Sequence, residues 1–413
     1  MKGLNTPFLR FKGYFENWSD AVLNEFLSFN NGINADKDSY GHGRKFINVL
    51  DILNNNSIQY EDIIGAVSVN PQVEESNRVE YGDLLFLRSS ETREDIGKSS
   101  VYLDKDNFAL FGGFVIRGKM RADYDPYFLK LNLESSNVRN QISSKAGGST
   151  RFNVSQSVLS TVEIKVPILD EQQKIADFFT LLDRRIEKQQ EKVEAWREYK
   201  KGMMQKLFSQ ELRFRDEDGR EFPAWTTVLL NALCWQGKAG GTPKSTVPNY
   251  YNGDIPFLSI SDMTEQGKYI TYTDRSISKL GLENSSAWIV PRDSLIFSMY
   301  ASIGKVAINK MPLATSQAMY SMVINENLST TEYLYQYLNY FKDIGIRRLI
   351  ETGTQGNLNA ESVRNIPIAY PRPVEQQKIA HIFSTLDQKI EGEVKKLNYL
   401  RKQKQGFMQQ MFI

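Results

Sequence analysis

A glycine-rich loop in the second half of the chain carries cations, hydroxyl groups and aromatic rings at close spacing. It reads Gly240-Gly241-Thr242-Pro243-Lys244-Ser245, and Tyr250 and Tyr251 follow it. Such a loop suits contacts to phosphate oxygens and to bases. The candidate contact residues are therefore Thr242, Lys244, Ser245, Tyr250 and Tyr251. A plain surface turn is the alternative, and the loop taken alone does not separate the two.

Small basic clusters occur in both halves of the chain. The first half has Lys119-x-Arg121, and the second half has Arg347-Arg348. A tripeptide Ile-Gly-Lys also occurs twice, ending at Lys98 and at Lys305, each time after a strand-like apolar run. A cluster of this size, taken alone, is more typical of a solvated face than of a site.

The motifs that usually identify an enzyme are incomplete. Gly97-Lys98-Ser99 has threonine at position 92, where a phosphate-binding loop requires glycine. Asp125-Pro126 is better explained as a helix cap with proline at the first helical position than as part of a methyltransferase loop. Glu163-x-Lys165 has nuclease-like spacing, but alternating charge on a half-exposed strand explains it better. We therefore predict no catalytic residues and no cofactor.

Composition limits the remaining possibilities. The chain has 413 residues, which suggests two or three domains, and its net charge is only +2, so any nucleic-acid surface must be local. One cysteine and two histidines argue against a disulfide framework, a metal site and Ser/His or Cys/His catalysis. There is no signal-peptide pattern and no run of 18 apolar residues, so we expect a cytoplasmic protein without a membrane segment.

The elements that position these residues are organised as a tandem repeat. Residues 171–208 and 375–412 align at a constant offset of 204 without a gap, and 18 of the 38 positions are identical. An internal repeat of this length indicates two similar units in one chain. Both copies lack proline, so each is predicted to form one helix about 57 Å long at ~1.5 Å per residue.

Each copy carries apolar residues at heptad spacing, which predicts a coiled coil. In each copy eight of ten seam positions are apolar, and the polar breaks fall at equivalent places, Gln189 with Glu393 and Lys200 with Lys404. The seam residues of the N-terminal halves are Ile175, Phe179, Leu182, Ile186 and Gln189 in the first helix, and Ile379, Phe383, Leu386, Ile390 and Glu393 in the second.

The repeat extends beyond the helices as scattered matches. Leu9-Arg10-Phe11 returns as Leu212-Arg213-Phe214, and Thr150 and Asn153 return as Thr354 and Asn357. The blocks that precede the helices mix short β-rich runs with helical stretches, which is an α+β pattern. We predict two similar mixed α/β domains at 1–166 and 210–370, followed by helices at 167–209 and 371–413, as a pseudo-two-fold tandem repeat.

These segments together resemble the specificity subunit of type I restriction-modification systems, over essentially the whole chain. The resemblance rests on EQQKIA…F…LD…I in both helices, GGTPKS…YYNGDIPFLSISD (240–262), YASIGKVAI (300–308), ATSQAM (314–319) and GTQGNLN (353–359). It implies two target-recognition domains, each reading one half of a bipartite site in double-stranded DNA, and two antiparallel helices that act as the spacer between them.

The resemblance also implies partners and the absence of catalysis in this chain. A subunit of this kind has no active site and docks two modification subunits, which methylate adenine with S-adenosylmethionine. Motor-nuclease restriction subunits add translocation and cleavage. The candidate DNA-phosphate contacts are then Lys98, Lys119 and Arg121 in the first block and Lys244, Lys305, Arg347 and Arg348 in the second. Near Asn30-Asn31-Gly32 the first block departs from the GGTPKS pattern.

Two questions stay open at the level of sequence. The helices carry apolar residues beyond the seam, and these form either a docking surface for partner subunits or ordinary packing against the blocks. A structural or adaptor protein with two protein-binding modules on a coiled coil is the alternative function, and salt-sensitive DNA binding separates it from a DNA reader. A self-sufficient enzyme is a weaker third possibility.

Overall fold

The computed structural model describes residues 6–351 and 358–413, and the chain forms two compact units. Unit 1 combines residues 1–190 with residues 395–413, and unit 2 is the continuous segment 191–394. Both mix strands and helices, so the predicted α+β class is confirmed. Each long helix belongs partly to one unit and partly to the other. The boundaries of the target-recognition domains stay a prediction.

The globular part of unit 1 contains twelve strands and six short helices in its described residues. In chain order they are β1 (Ser19–Val22), α1 (Leu23–Phe26), β2 (Leu27–Asn31), β3 (Tyr40–Ile47), α2 (Val49–Asn54), β4 (Ser57–Ile58), β5 (Ala66–Val67), α3 (Pro71–Ser76), β6 (Leu84–Leu87), β7 (Ser89–Ser90), β8 (Ser99–Tyr102), β9 (Leu110–Phe111), β10 (Val115–Met120), α4 (Pro126–Leu133), α5 (Ser136–Lys145), β11 (Phe152–Asn153), α6 (Gln156–Ser160) and β12 (Glu163–Val166).

The long helix α7 (Leu169–Phe208) follows, and the globular part of unit 2 then adds ten strands and five short helices in its described residues. They are β13 (Thr226–Leu229), β14 (Cys234–Ala239), β15 (Tyr251–Leu258), α8 (Ile260–Gln266), β16 (Tyr269–Ile270), β17 (Arg275–Ile277), α9 (Lys279–Glu283), β18 (Leu295–Ser298), β19 (Val306–Asn309), β20 (Ala314–Thr315), β21 (Met319–Ile324), α10 (Thr331–Ile344), α11 (Ile346–Glu351), α12 (Ala360–Arg364) and β22 (Pro367–Tyr370). The second long helix is α13 (Pro373–Met411).

The two units repeat one sheet topology. Unit 1 has a five-stranded sheet of order β2-β10-β6-β8-β4, and unit 2 has β14-β21-β18-β19-β16. Each unit also has a three-stranded sheet, β5-β3-β9 or β17-β15-β20, and a pair, β1-β12 or β13-β22, that leads into a long helix. Even a register irregularity recurs: Tyr40 and Arg44 both pair with Val67, while Tyr251 and Ile255 both pair with Ile277. The two units are therefore copies of one fold.

Local sequence explains several element boundaries. Asp125 is the N-cap of α4, accepting a hydrogen bond from the Phe128 backbone N–H at 2.8 Å, and Pro126 holds the first helical position. The interpretation of Asp125-Pro126 as a helix cap is thus confirmed. Glu163 and Lys165 lie on β12, which pairs with β1, and Lys165 forms an ion pair with Asp20 at 2.9 Å.

Segments of the long helices pack antiparallel inside each unit. In unit 1 the start of α7 packs against the end of α13, with the ring centroids of Phe178 and Phe407 5.1 Å apart. In unit 2 the end of α7 packs against the start of α13, and Phe208 stacks on Phe383 at 5.8 Å. The seam residues are buried at 175, 179, 182, 189, 379, 383, 386 and 393 and half-buried at 186 and 390.

The repeated Glu-Gln-Gln start of each long helix is a buried anchor. Glu171 is fully buried and accepts two hydrogen bonds from Arg10 at 2.6 and 2.7 Å, and Glu375 is fully buried with Arg213 at 3.0 Å. Gln172 donates to the Pro167 carbonyl at 2.9 Å, as its counterpart does in unit 2. A buried charge needs such a partner, so the matches of Arg10 with Arg213 and of the EQQ segments have one structural reason.

Candidate nucleic-acid interface

The two Ile-Gly-Lys segments form the same turn in both units. Gly97 and Gly304 have positive φ angles of 64° and 79°, which glycine adopts without strain. A β-carbon at Gly97 would meet Ile142 of α5 at 2.4 Å, and one at Gly304 would meet Ile346 of α11 at 2.3 Å. Glycine is required at both positions, and the turn holds the lysine that follows beside a helix.

The lysines at the end of this turn have different electrostatic surroundings. Lys98 forms an ion pair with Asp95 at 2.5 Å. Lys305 is half-buried, and both burial and the neighbouring cation Lys342 lower its pKa. Arg347 is exposed and follows Ile346, which touches the turn. Lys305, Lys342 and Arg347 therefore concentrate positive charge at one end of α10 and α11. Arg348 lies on α11, but its side chain is outside the described residues.

The loop that joins β14 to β15 is held by hydrogen bonds at its start and is exposed at its tip. Gly240 and Gly241 donate backbone hydrogen bonds to Met319 and Thr315, at 3.0 and 2.9 Å. The Thr242 hydroxyl donates to Gln317 at 2.5 Å. Lys244 and Ser245 are exposed, so these two residues remain accessible to a phosphate.

The two tyrosines after this loop take part in its packing. The Tyr251 hydroxyl donates to the Pro243 carbonyl at 2.5 Å, and the Tyr250 carbonyl accepts from the Ser278 N–H at 2.9 Å. A β-carbon at Gly281 would lie 2.3 Å from that Tyr250 carbonyl. Both tyrosine side chains are half-buried. The structure therefore gives them a packing role within the loop, alongside the predicted contact role.

In unit 1 the nominated cations lie at separate places. Lys119 forms an ion pair with Glu80 at 3.1 Å. Arg121 is exposed just after β10, where its backbone N–H donates to the Phe26 carbonyl at 2.8 Å. Lys98 lies on the turn before β8. An acidic partner already compensates the charge of two of these three cations.

A polar cleft in unit 1 contains none of the nominated residues. This cleft has a volume of about 690 Å³, and its lining holds two cations, three side-chain amides and two serines but no acidic residue among the described ones. The residues are Asn31, Arg88, Lys145, Gly147, Asn153, Val154, Ser155, Gln156, Ser157 and Val158. We call it the amide cleft.

Two arginine side chains of unit 1 lie close to aromatic rings. The Arg93 guanidinium lies 4.9 Å from the centre of the Phe152 ring, and that of Arg151 lies 6.0 Å from the ring of Phe114. Phe114 is 58% exposed. Interleaved arginine and exposed aromatic residues are typical of surfaces that bind nucleic acid.

The backbone relates the amide cleft to the motifs that carry the resemblance. Gly32 donates to the Val115 carbonyl at 3.3 Å, as Gly240 donates to Met319, so Gly32 is the counterpart of the first glycine of GGTPKS. A β-carbon at Gly32 would lie 2.3 Å from the Gly112 carbonyl, and one at Gly240 would lie 2.1 Å from that of Thr315. The sequence of the first block therefore departs from the GGTPKS pattern only after this glycine.

The counterpart of GTQGNLN also borders the amide cleft. Val154 donates to the Arg88 carbonyl at 3.0 Å and Leu358 to the Met299 carbonyl at 3.2 Å, so the offset of 204 holds there. Residues 353–357 of GTQGNLN, including Thr354 and Asn357, lie outside the described residues. Counterparts of two motifs, GGTPKS and GTQGNLN, thus lie beside the amide cleft in unit 1.

The sequence does not mark Arg88, Arg93 and Arg151 as a basic cluster because each is isolated along the chain, and the uncharged Asn31 and Gln156 carry no signal of this kind. Isolated cations become a group only when the loops before β8 and α6 come together. The one available signal was the match of Thr150 and Asn153 to the second half, which marks this loop. Within the described residues, no group of three or more His, Cys, Asp or Glu side chains suits a metal ion, and no helix has the length and apolarity of a membrane span.

The chain is similar in sequence to a known protein family. A family model for the type I restriction modification DNA specificity domain matches residues 91–195 and 224–402. The type I restriction enzyme MjaIX specificity subunit of Methanocaldococcus jannaschii is 30% identical over 203 residues, which cover 47% of this chain and 45% of that protein. The chain thus spans about half the length of that relative. The putative MjaX specificity subunit of the same organism is 24% identical over 410 residues, covering 95% of this chain and 92% of that one.

The fold is also that of a solved structure. A type I restriction-modification system S subunit from M. genitalium superposes with a TM-score of 0.58 at 18% identity, covering 99% of both chains. The family model matches more than half of the chain and occurs once in each half. The chain therefore belongs to the family of type I restriction-modification DNA specificity proteins.

Proposed function

We propose that this chain is the non-catalytic, DNA-reading subunit of a type I restriction-modification complex, and that each unit reads one half of a bipartite site in double-stranded DNA. The observation that carries the proposal is the duplication of one sheet topology, with a family match in each half. One reader used twice gives two half-sites, and each well-read base pair contributes about 1–3 kcal/mol of discrimination.

The long helices are proposed to set the gap between the half-sites. Each helix contributes a segment to both units, and the pairing within each unit is antiparallel and includes contacts between aromatic rings. A continuous helix has a fixed rise of ~1.5 Å per residue, so it converts residue number into distance. The gap in the DNA site is then a property of the helix length.

The helices are also the proposed docking surface for two modification subunits, to which restriction subunits are added. Leu181, Tyr199 and Tyr399 are exposed on α7 and α13 although they are large and apolar. A partner subunit that covers these side chains would remove their apolar surface from water, which favours association. The adaptor alternative has less support, because the family match concerns DNA specificity.

The direct test exchanges residues 210–370 for the equivalent segment of a relative with another specificity. The exchanged protein, assembled with its modification subunits, is expected to change one half-site while it keeps the other half-site and the gap. Sequencing of the DNA selected by the complex gives both at once. A change in both half-sites would contradict independent reading, and salt-insensitive DNA binding would favour the adaptor alternative.

A further inference from the structure

Two amide side chains meet at the rim of the amide cleft. Asn31 is the last residue of β2, and Gln156 is the first residue of α6. In the orientation of the Gln156 amide that satisfies its neighbours, the nitrogen donates to the Phe29 carbonyl at 3.0 Å. The oxygen then accepts from the Asn31 backbone N–H at 3.1 Å and from the Asn31 side-chain Nδ2 at 3.2 Å, while the Asn31 Oδ1 lies at the same distance of 3.2 Å. Gln156 thus contacts both the backbone and the side chain of Asn31.

The same backbone frame in unit 2 carries different side chains. Asn31 pairs with Ile116, and the corresponding pair in unit 2 is Ala239 with Tyr320. Gln156 and Ala360 are both the first residue of a five-residue helix with a side-chain N-cap, at the offset of 204. Arg88 corresponds to Met299, as the hydrogen bonds from Val154 and Leu358 show. The two units therefore have the same backbone at these positions, with polar side chains in unit 1 and apolar side chains in unit 2. Such a difference is suited to reading different DNA sequences.

Hydrogen bonding leaves Asn31 with one donor and one acceptor for a ligand. Its side-chain nitrogen has two N–H groups, and Gln156 accepts one of them. The second N–H of this nitrogen and the carbonyl oxygen, which accepts no hydrogen bond from the described residues, belong to an exposed residue at the cleft rim. This donor–acceptor pair matches N7 and the N6 amino group of adenine in the major groove, which asparagine and glutamine contact in a bidentate manner.

We propose that Asn31 reads an adenine of the half-site recognised by unit 1, and that Gln156 is the positioning residue that orients it. Lys145, which lines the same cleft and is exposed, contacts a phosphate. The inference rests on the proposed function, and it adds the identity of one base and of the side chain that reads it.

The experiment uses the chain assembled with its modification subunits and a library of DNA duplexes with randomised sequence. The bound fraction is sequenced for the wild type and for Asn31→Ala, Gln156→Ala and Lys145→Ala. Asn31→Ala is expected to reduce the preference for A·T at one position about 5- to 150-fold, which is the usual effect of losing one well-read base pair. Gln156→Ala should lower the preference at the same position by a smaller factor, since Asn31 is then present but not held.

Lys145→Ala is the matched control, because a lost phosphate contact weakens binding to all sequences equally. Retention of the other base preferences of the first half-site by each variant shows that unit 1 is folded, and retention of the second half-site shows the same for unit 2. An unchanged motif in Asn31→Ala, a uniform loss of affinity, or a lost preference for a pair other than A·T would overturn the inference and leave the proposed function intact. A wild-type complex that selects no bipartite motif would overturn the proposed function itself.

Discussion

Equivalent lysines in the two units differ in how much of their charge is available to DNA. Lys98 and Lys305 occupy the same turn, but among the described residues only Lys98 has an acidic partner, Asp95. The pKa of Lys305 is lowered by burial and by Lys342, and a nearby phosphate would relieve this repulsion. Charge already compensated within the protein attracts a polyanion less strongly.

We predict that Lys305→Ala reduces the salt dependence of DNA binding more than Lys98→Ala does. A true phosphate contact contributes about 0.9 to the slope of log K against log salt concentration. We expect this full reduction for Lys305→Ala and a smaller one for Lys98→Ala, because Asp95 neutralises Lys98 in the free protein. Binding measured between 50 and 200 mM salt, about the range in which such slopes are determined, checks this. Equal slopes for the two variants would contradict it.

Asp83 gives unit 1 a pH-dependent stability. Its side chain is 1% exposed, and burial raises its pKa to about 6, against the hydrogen bonds that it accepts from the backbone N–H groups of Glu80 and Met120. The folded state therefore binds the proton more tightly than the unfolded chain does. This stabilisation is complete below pH ~4 and is lost as the pH rises to ~6.

We predict a pH-dependent difference in the free energy of unfolding between the wild type and Asp83→Asn. The wild-type value minus the variant value should fall as the pH rises from about 4 to 6 and should be constant above pH ~6. The fall should reach about 3 kcal/mol, because each pKa unit corresponds to ~1.4 kcal/mol. Urea unfolding at a series of pH values measures it. A wild-type-to-variant difference that stays constant through this pH range would rule the explanation out.

At this scale the sequence identifies residue types but not their environments. The lysines of the Ile-Gly-Lys turns are visible in the sequence, and their glycines prove to be sterically required. The pairing of Lys119 with Glu80 joins residues 39 positions apart. Asn31 and Gln156 are 125 positions apart and meet only in the folded unit. Contacts between distant residues depend on topology, which single-residue patterns do not contain.

Among the elements, the long helices contain polar residues in their seams for a structural reason. Lys200 forms an ion pair with Asp387 at 2.6 Å, and Lys404 forms the equivalent pair with Asp183 at 2.7 Å. Both pairs join α7 to α13 within a unit. Asp183 and Asp387, the aspartates of the repeated Leu-Asp dipeptide, are thus the ion-pair partners of the lysines in the seam. Such pairs favour one register, because a shifted helix would leave the charges uncompensated.

We predict that Gln189→Leu combined with Glu393→Leu raises the stability of the helix pair and loosens its register. Gln189 is 6% exposed and Glu393 is 7% exposed, and Glu393 forms ion pairs with Lys192 and Lys389 at 2.9 and 3.2 Å. Replacement of buried polar groups by apolar ones is often neutral or stabilising by about 1–4 kcal/mol. The lysines left behind are about half exposed and remain hydrated.

Two measurements test this variant. Thermal unfolding should show a higher midpoint, and DNA binding should tolerate gaps one base pair longer or shorter than the optimum. Glu198→Leu, at an exposed position of α7, controls for added hydrophobicity. A double variant that is less stable than the wild type would show that these polar groups stabilise the pair rather than specify its register.

The helices were the most predictable elements, and the sheets were the least. The heptad pattern lies within one continuous segment, so counting along the sequence predicted the long helices. Pairing of β2 with β10, or of β14 with β21, joins residues that are between 81 and 93 positions apart, and the alternation of short strands does not encode a partner. The division of each helix between two units also depends on such distant contacts.

For the whole molecule, the helix length should determine the spacing of the half-sites. We predict that one heptad inserted into both α7 and α13, about 10.5 Å of helix, lengthens the preferred gap or abolishes binding. The assembled complex is tested on DNA substrates whose gap is varied one base pair at a time. Insertion of seven residues into the exposed turn at residues 217–219, which holds none of the nominated contact residues, is the control. An unchanged optimum in the helix variant would show that the helices do not measure the gap.

Because residues 395–413 complete unit 1, the order of synthesis on the ribosome differs from the order of folding. Residues 191–394 are contiguous, so unit 2 has its whole sequence before unit 1 does. Until Phe412 emerges, Trp18 and Phe128 lack a ring that otherwise lies 6.1 and 5.6 Å from them. A chain stopped after Val394 should keep unit 2 resistant to protease while residues 6–190 are digested. Unit 1 is therefore incompletely folded for longer than unit 2 during translation, although most of it is made first. We expect a chaperone to bind its exposed apolar surface during this time.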